Sequence, residues 1–176
     1  MFTVNHQTNR ISPVRTKKFS ELGFTERKHL QEWLAHEPSA LGEELLIIQK
    51  EFDGFDDTRE RLDLLALDKD GNLVIIENKL DDSGRDVVWQ ALKYASYCAS
   101  LTKAQIVDIY QQYLDRYEPV TAEVDLLNAP ASASARICEF LDAPDLDELK
   151  LNLGNSQRIM LVAANFRKEV TSTALW

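Results

Sequence analysis

The segment RLDLLALDKDGNLVIIENKLDD, residues 61–82, constrains the fold more than any other part of this chain. It reads as two apolar strands joined by a short turn. Five of the seven residues from Leu62 to Asp68 are apolar, and Leu73 to Ile76 are four apolar residues in a row. A strand that is apolar on both faces belongs at the centre of a sheet covered by helices on both sides. Yet Asp63, Glu77 and Lys79 interrupt these runs. An ionised side chain taken out of water costs several kcal/mol unless it is paired or holds a metal. The fold has to supply that compensation.

The hairpin register decides whether the three groups meet. Side chains two apart on a strand share a face, so Glu77 and Lys79 point the same way. A two-residue loop at Asp70-Gly71 pairs Asp63 with Asn78 and sends Asp63 to the other face. A three-residue loop, Lys69-Asp70-Gly71, pairs Asp63 with Glu77 and puts Gly71 in the left-handed position of a type I turn with a G1 bulge. The sequence permits both registers, and only the second gathers two carboxylates and an ammonium. In that register the two carboxylates make a site for a hard divalent cation such as Mg²⁺, with the main-chain carbonyl of Asn78 as a third ligand. A divalent cation beside an ammonium suits attack of water on a phosphodiester: the metal stabilises charge on the phosphorus oxygens, and Lys79 positions the water or neutralises the transition state. The competing reading is an ion pair between Glu77 and Lys79 near a strand end, with Asp63 facing solvent.

Around the hairpin, residues 1–24 hold two short β-like pieces, FTVN and RISPV, followed by a basic RTKKF, and read as an N-terminal hairpin or arm. A helix is expected over TERKHLQEWLAHEP, capped by Thr25 and stopped before Pro38, with Leu30, Trp33 and Leu34 as its apolar stripe. LGEELLIIQKEF reads as a helical turn leading into a strand from Leu45 to Phe52, and DGFDDTRE as a polar loop. VVWQALKYASYCASL and TKAQIVDIYQQYLDRY are helices, the second capped by Thr102. After a short helix in APASASARICEFL and a loop, QRIMLVAA reads as a buried strand. FRKEVTSTALW starts a helix that reaches Trp176 without a C-cap, the pattern of a piece of a longer protein. Helices at 25–36 and 85–100 can cover the sheet and give an α/β sandwich. The expected organisation is an arm (1–24), a core (25–101), and a helical C-terminal extension with a further strand (102–176).

A formal net charge of −9 argues against a protein that coats nucleic acid through a broad basic surface, and leaves room for a local basic groove. Arg59, Arg61, Arg85, Lys93 and Lys103 flank the hairpin site in sequence and can build such a groove, and Trp89 can stack on a base. No apolar run approaches the roughly 18 residues of a membrane span, and the N-terminus lacks a signal-peptide core. Cys98 and Cys138 have no metal or disulfide spacing, as expected of free thiols in a reducing cytoplasm. His6, His29 and His36 show no ligand spacing either.

Asp63 followed by Glu77-Asn78-Lys79 resembles the PD-(D/E)XK nuclease superfamily, with its restriction-endonuclease-like fold. The flanking ERLDLL and VIIENKL resemble its archaeal mismatch and single-strand endonuclease branch and the uncharacterised bacterial relatives of that branch. In the next helix QALKY gives Gln90 and Tyr94, similar to the Q-x-x-x-Y element of RecB-type nucleases. On that helix Asp86, Gln90, Lys93, Tyr94 and Tyr97 share one face, opposite Val88, Leu92, Ala95 and Ala99, which are expected to pack into the core. The leading Pro-Asp of the family is Leu62-Asp63 here. The resemblance covers about residues 25 to 100. It implies a central mixed four-stranded sheet flanked by helices on both faces, and a Mg²⁺- or Mn²⁺-dependent endonuclease acting on DNA. Asp63, Glu77, Lys79 and Gln90 would be catalytic, and the metal would rest on Asp63, Glu77 and the Asn78 carbonyl. The family often adds an acid from its first helix, for which Glu43 in LGEELL is the choice, with Glu44 and Glu32 as alternatives. Arg61, Arg85, Lys93 and Tyr94 would contact nucleic acid. Many relatives act as dimers, so a homodimer is an expected option. The alternative function is a catalytically silent nucleic-acid-binding or assembly domain with the same fold.

Overall fold

The computed structural model describes residues 1–54, 61–118 and 132–175. In chain order its elements are β1 (Phe2–Asn5), β2 (Arg10–Pro13), α1 (Gln31–His36), β3 (Leu46–Phe52), β4 (Leu62–Leu67), β5 (Leu73–Asp82), α2 (Val87–Cys98), α3 (Lys103–Tyr117), α4 (Ala133–Phe140), β6 (Arg158–Asn165) and α5 (Lys168–Ala174). Strands β1 and β2 form a separate two-stranded hairpin. The other four make one sheet in the order β3-β4-β5-β6, antiparallel except for the parallel β5/β6 pair. The chain is an α/β protein with a mixed central sheet.

The turn between β4 and β5 takes the three-residue form. The Asp68 carboxylate accepts the main-chain N–H groups of Asp70 (3.0 Å) and Asn72 (2.9 Å), and the Asn72 side-chain amide at 3.2 Å. Asp68 and Asn72 close the loop, Asp68 N–H donating to the Asn72 carbonyl at 3.0 Å and Gly71 N–H to the Asp68 carbonyl at 3.1 Å. Gly71 sits at φ 77°, where a Cβ would also meet the Lys150 carbonyl oxygen at 2.8 Å. Glycine is therefore required at this position on both counts. The ladder runs Leu67↔Leu73 to Leu64↔Ile76, and one further step sets Asp63 against Glu77.

Strand β4 is buried along its whole length and β5 from Leu73 to Asn78, so both faces of the central pair are covered. Strand β6 is only partly buried, contrary to the expectation of a buried strand, because it is the edge of the sheet. The segment after residue 101 is integral to the core. Besides β6 it supplies Ile106, Ile109, Tyr110 and Leu114 of α3 and Ile137 of α4 to the same apolar cluster as the strands.

Thr102 begins α3 with a reciprocal cap, its hydroxyl accepting from Gln105 N–H and its own N–H donating to the Gln105 side chain. Thr25 is extended at the start of the first helix, yet its side chain does not cap it; the His29 Nδ1 accepts the Thr25 N–H at 3.0 Å instead. That helix opens with a wide π-type turn over Glu26–Leu30 before continuing as α1. Leu30 and Leu34 enter the core, while Trp33 turns to Phe19 and Phe24, with ring centroids 5.4 and 5.0 Å away.

Helix α2 buries Val87, Ala91, Tyr94 and Cys98, not the expected face of Val88, Leu92, Ala95 and Ala99. The buried set also recurs at helical spacing. Tyr94 can join it because its hydroxyl donates to the Arg61 carbonyl at 3.1 Å, which satisfies the polar end of a large apolar ring. Cys98 lies on this buried face, and burial pushes its thiol up to about 12, an unreactive state. Cys138 is also free. Among the described residues no helix is long and apolar enough to cross a membrane.

Candidate functional site

The observed register sets Asp63 beside Glu77, and Lys79 follows two residues along β5. The Lys79 Nζ lies 3.8 Å from Glu77 Oε2 and 4.0 Å from Asp63 Oδ2, and donates to the Asn78 carbonyl at 2.9 Å. Asp63 is 6% exposed and Glu77 1%. Asp63 Oδ2 accepts the Asn78 N–H at 2.8 Å, whereas Glu77 Oε1 is buried with no hydrogen-bond partner among the described residues. Burial, reinforced by the neighbouring Asp63 charge, pushes the Glu77 carboxyl up to about 8 against the pull of Lys79. Burial raises Asp63 to about 6, opposed by the Asn78 N–H and Lys79. At neutral pH the two carboxyls thus keep a proton between them. A retained proton and one ammonium are the compensation that the apolar hairpin required.

The first helix roofs this pair. Glu26 Oε2 accepts the Leu80 N–H at 3.1 Å, and Glu26 Oε1 lies 3.5 Å from Lys79 Nζ. The next residue, Arg27, reaches the other way, its Nε 3.2 Å from Glu51 Oε1 on β3. Glu51 falls between the pairs Lys50↔Leu64 and Phe52↔Leu62, opposite Asp63, and has φ 51°. A left-handed glutamate within a strand costs of order 1–3 kcal/mol and needs surrounding structure to hold it. Its charge acts on Asp63 in the raising direction. Glu26 and Glu51 are acids of the site that the sequence reading did not select. The expectation of a first-helix acid was a usable signal for Glu26, but it was spent on LGEELL. Nothing in QKEF distinguishes Glu51 from an ordinary strand residue.

Glu43, the chosen first-helix acid, is not brought to this site. It forms a fork with Arg158, both contacts at 2.8 Å, and Arg158 also holds Asp68 Oδ2 at 3.0 Å. This cluster sits at the turn end of the hairpin, about 16 Å along β4 from Asp63. Its segment precedes β3 at the end where Leu46 pairs with Leu67, so the strand direction sends it away from Asp63. The Arg158 hydrogen bonds hold the Glu43 carboxyl below its ordinary value. At Asp68 burial pushes upward, but the Asn72 N–H and Arg158 outweigh it, and that carboxyl is also lowered. The alternatives are engaged elsewhere too, Glu44 with Lys69 at 3.3 Å and Glu32 with Lys50 at 2.7 Å.

Gln90 is half-buried one turn before Tyr94, and its side chain makes no hydrogen bond among the described residues. Tyr94 is fully buried, which removes it from any direct contact with nucleic acid; its place is structural. Arg61 lies 3.5 Å from Asp53 and Arg85 3.8 Å from Glu169, both with well-exposed side chains. The Lys93 ammonium stands over the Tyr94 ring at 5.4 Å. Lys103 is committed to the carbonyls of Leu146 (2.8 Å) and Leu149 (3.1 Å), so its role is to hold that loop. Trp89 is 70% exposed. Arg59 lies outside the described residues.

As a cation site, this cluster offers the oxygens of Asp63 and Glu77, including Glu77 Oε1, which has no hydrogen-bond partner among the described residues. The Asn78 carbonyl, the expected third ligand, already accepts from Lys79. Among the described residues no three His, Cys, Asp or Glu side chains are grouped as a metal cage. This donor set fits Mg²⁺ or Mn²⁺, since Mg²⁺ is ordinarily held by one or two carboxylates with water filling its remaining positions. It does not suit a cation that needs six to eight protein oxygens. Compared with protein-family models, curated proteins and solved structures, the chain matches none.

Proposed function

We propose that this protein is a Mg²⁺- or Mn²⁺-dependent nuclease that hydrolyses phosphodiester bonds in DNA, with a restriction-endonuclease-like core. The observation that carries this reading is the convergence of Asp63, Glu77 and the partly buried Lys79, with a Glu77 oxygen that has no hydrogen-bond partner among the described residues. A divalent cation held by Asp63 and Glu77 would supply electrostatic stabilisation of the phosphate oxygens. Asp63 is held in place by the Asn78 N–H, and a cation entering here would displace the proton that the pair retains. The Lys79 ammonium stands within 4.0 Å of both, able to meet negative charge that develops on a scissile phosphate. Glu26 takes the part of the first-helix acid in place of Glu43, its carboxylate 3.5 Å from the Lys79 ammonium. Gln90, with its side-chain amide uncommitted, is the group proposed to orient the attacking water.

Purified protein is expected to nick plasmid DNA in Mg²⁺ or Mn²⁺, and Lys79→Ala to reduce nicking to background while keeping the circular dichroism spectrum of the folded protein. Undiminished nicking by a folded Lys79→Ala refutes the assignment. Calorimetric titration of Mn²⁺ into wild type and Glu77→Ala tests the metal separately, with binding heat expected only in wild type. DNA binding without cleavage in either metal would replace this reading by that of a silent binding domain.

A further inference from the structure

The hairpin β1/β2 has no home in the described fold. All of its strand residues are exposed. Phe2, Val4 and Ile11 are each about 60% exposed, and the register Phe2↔Pro13, Val4↔Ile11 gathers them with Pro13 on one face. An isolated two-stranded hairpin is marginal in water, so this one is expected to act against a partner. Its charge says which kind. Residues 1–18 hold Arg10, Arg15, Lys17 and Lys18 and none of the chain's 29 acidic residues. The remainder sets 16 basic residues against all 29 acids. Among the described residues none of those four cations forms an ion pair, whereas Arg27, Arg61 and Arg85 near the site all do. The tip, Asn5-His6-Gln7-Thr8-Asn9-Arg10, consists only of side chains that hydrogen-bond, and is braced by Asn5 Oδ1 accepting the N–H groups of Gln7 (3.0 Å) and Thr8 (3.1 Å).

We infer that the hairpin and the basic stretch behind it form an arm that binds duplex DNA, the ribbon lying in the major groove and Arg15, Lys17 and Lys18 on the flanking phosphates. The major groove admits a two-stranded ribbon, and Asn, Gln and Arg are the side chains that read base edges there. The apolar face has thymine methyl groups to meet. A second copy of this chain is the poorer partner. Three apolar side chains offer a few hundred Å² at most, against the roughly 800 Å² per partner of a stable interface. The root of the arm is fixed: Phe19, directly after Lys18, packs edge-on against Phe24 and Trp33 at 6.0 and 5.4 Å. Seven residues beyond Phe19 the chain places Glu26 beside Lys79. The arm is therefore rooted on the helix whose opening turn brings Glu26 to Lys79. This deepens the nuclease reading, on which the choice of DNA as ligand rests.

The test compares the full-length chain with the variant R10Q/R15Q/K17Q/K18Q, binding a labelled duplex of roughly two helical turns, about 20 base pairs. Anisotropy is read in EDTA, where no cutting occurs, across a KCl series. The variant is expected to bind at least tenfold more weakly, with a salt slope smaller by about 3 to 4. Equal affinity and slope overturn the inference, as does a wild type that does not bind the duplex. Loss of a dimer in sedimentation, with duplex affinity unchanged, also overturns it and assigns the arm to self-association. Arm-dependent binding in a wild type that cuts with neither metal upholds the arm and sinks the nuclease reading. Metal-dependent cutting with arm-independent binding does the reverse.

Discussion

Replacing Glu77 by glutamine keeps the shape of the side chain and removes its charge, so the consequence for stability depends on pH. The ordinary value of this carboxyl is 4.5, whereas burial and the Asp63 charge push it up to about 8 in the folded protein. Between those values the folded state holds a proton that the unfolded chain has released. Stability is therefore greatest on the acid side of this window and is lost as pH rises through it. The displacement corresponds to roughly 4 to 5 kcal/mol across the full window for one titrating group. That is a large fraction of the ~5–15 kcal/mol that stabilises a typical domain. Asp63, raised from 3.8 to about 6, adds a loss of the same sign at lower pH. Glutamine has nothing to titrate. In urea unfolding with EDTA present, at about pH 5 and about pH 9, wild type should lose midpoint stability and Glu77→Gln should lose far less. The variant should be the more stable protein on the alkaline side. A wild-type midpoint that is flat between the two pH values, or a variant that falls in parallel, would refute the reasoning.

Gly71→Ala should destabilise by more than about 2 kcal/mol in chemical denaturation, because it adds left-handed strain to a collision with the rigid Lys150 carbonyl. Were its stability within experimental error of wild type, the turn would not be the device that sets the hairpin register. Arg158→Ala should cost about 1–3 kcal/mol near neutral pH, since it strips the fork from Glu43 and one partner from buried Asp68. Both carboxyls are held below their ordinary values, so the stability they contribute is present at neutral pH and is lost as pH falls through the lowered values. Arg158→Ala should accordingly flatten the acid limb of the stability profile, and an unchanged acid limb would count against the fork.

How far the sequence discloses this molecule differs from element to element. The central position of the hairpin follows from apolar runs that leave no polar face. Its two registers could not be separated by pattern alone, since both satisfy the strand alternation. What separates them is Asp68, whose carboxylate collects three donors that only the wider loop presents together. The face that α2 buries escapes the sequence because tyrosine ranks as polar there, while a single carbonyl at Arg61 suffices to satisfy its hydroxyl in the core. Glu26 was passed over for a similar reason. Its significance lies in a contact with Leu80, 54 residues away, which depends on how the first helix crosses the sheet and not on any local spacing. Glu51 is a matter of backbone conformation, and a positive φ at glutamate leaves no trace in composition.

The two ends of the β4/β5 hairpin make the argument about function by their contrast. Each end gathers acids around one cation: Glu43 and Asp68 around Arg158 at the turn, and Asp63, Glu77 and Glu26 around Lys79 at the other. At the turn the guanidinium forks onto Glu43 at 2.8 Å and loop amides satisfy Asp68, so both acids are held ionised below their ordinary values. That end is finished, and its charges serve the fold. At the other end the ammonium stays 3.5 Å or more from all three carboxylates and spends its short contact on a carbonyl. There Asp63 and Glu77 are raised, and one oxygen of Glu77 has no hydrogen-bond partner among the described residues. A purely structural ion cluster would gain from closing those distances, as the turn does. Carboxyls that burial raises, beside a cation that does not close onto them, are the arrangement on which the proposal of a further cation draws. Of the two acidic clusters the hairpin carries, only this one leaves such work undone, and the nuclease proposal rests on it for that reason.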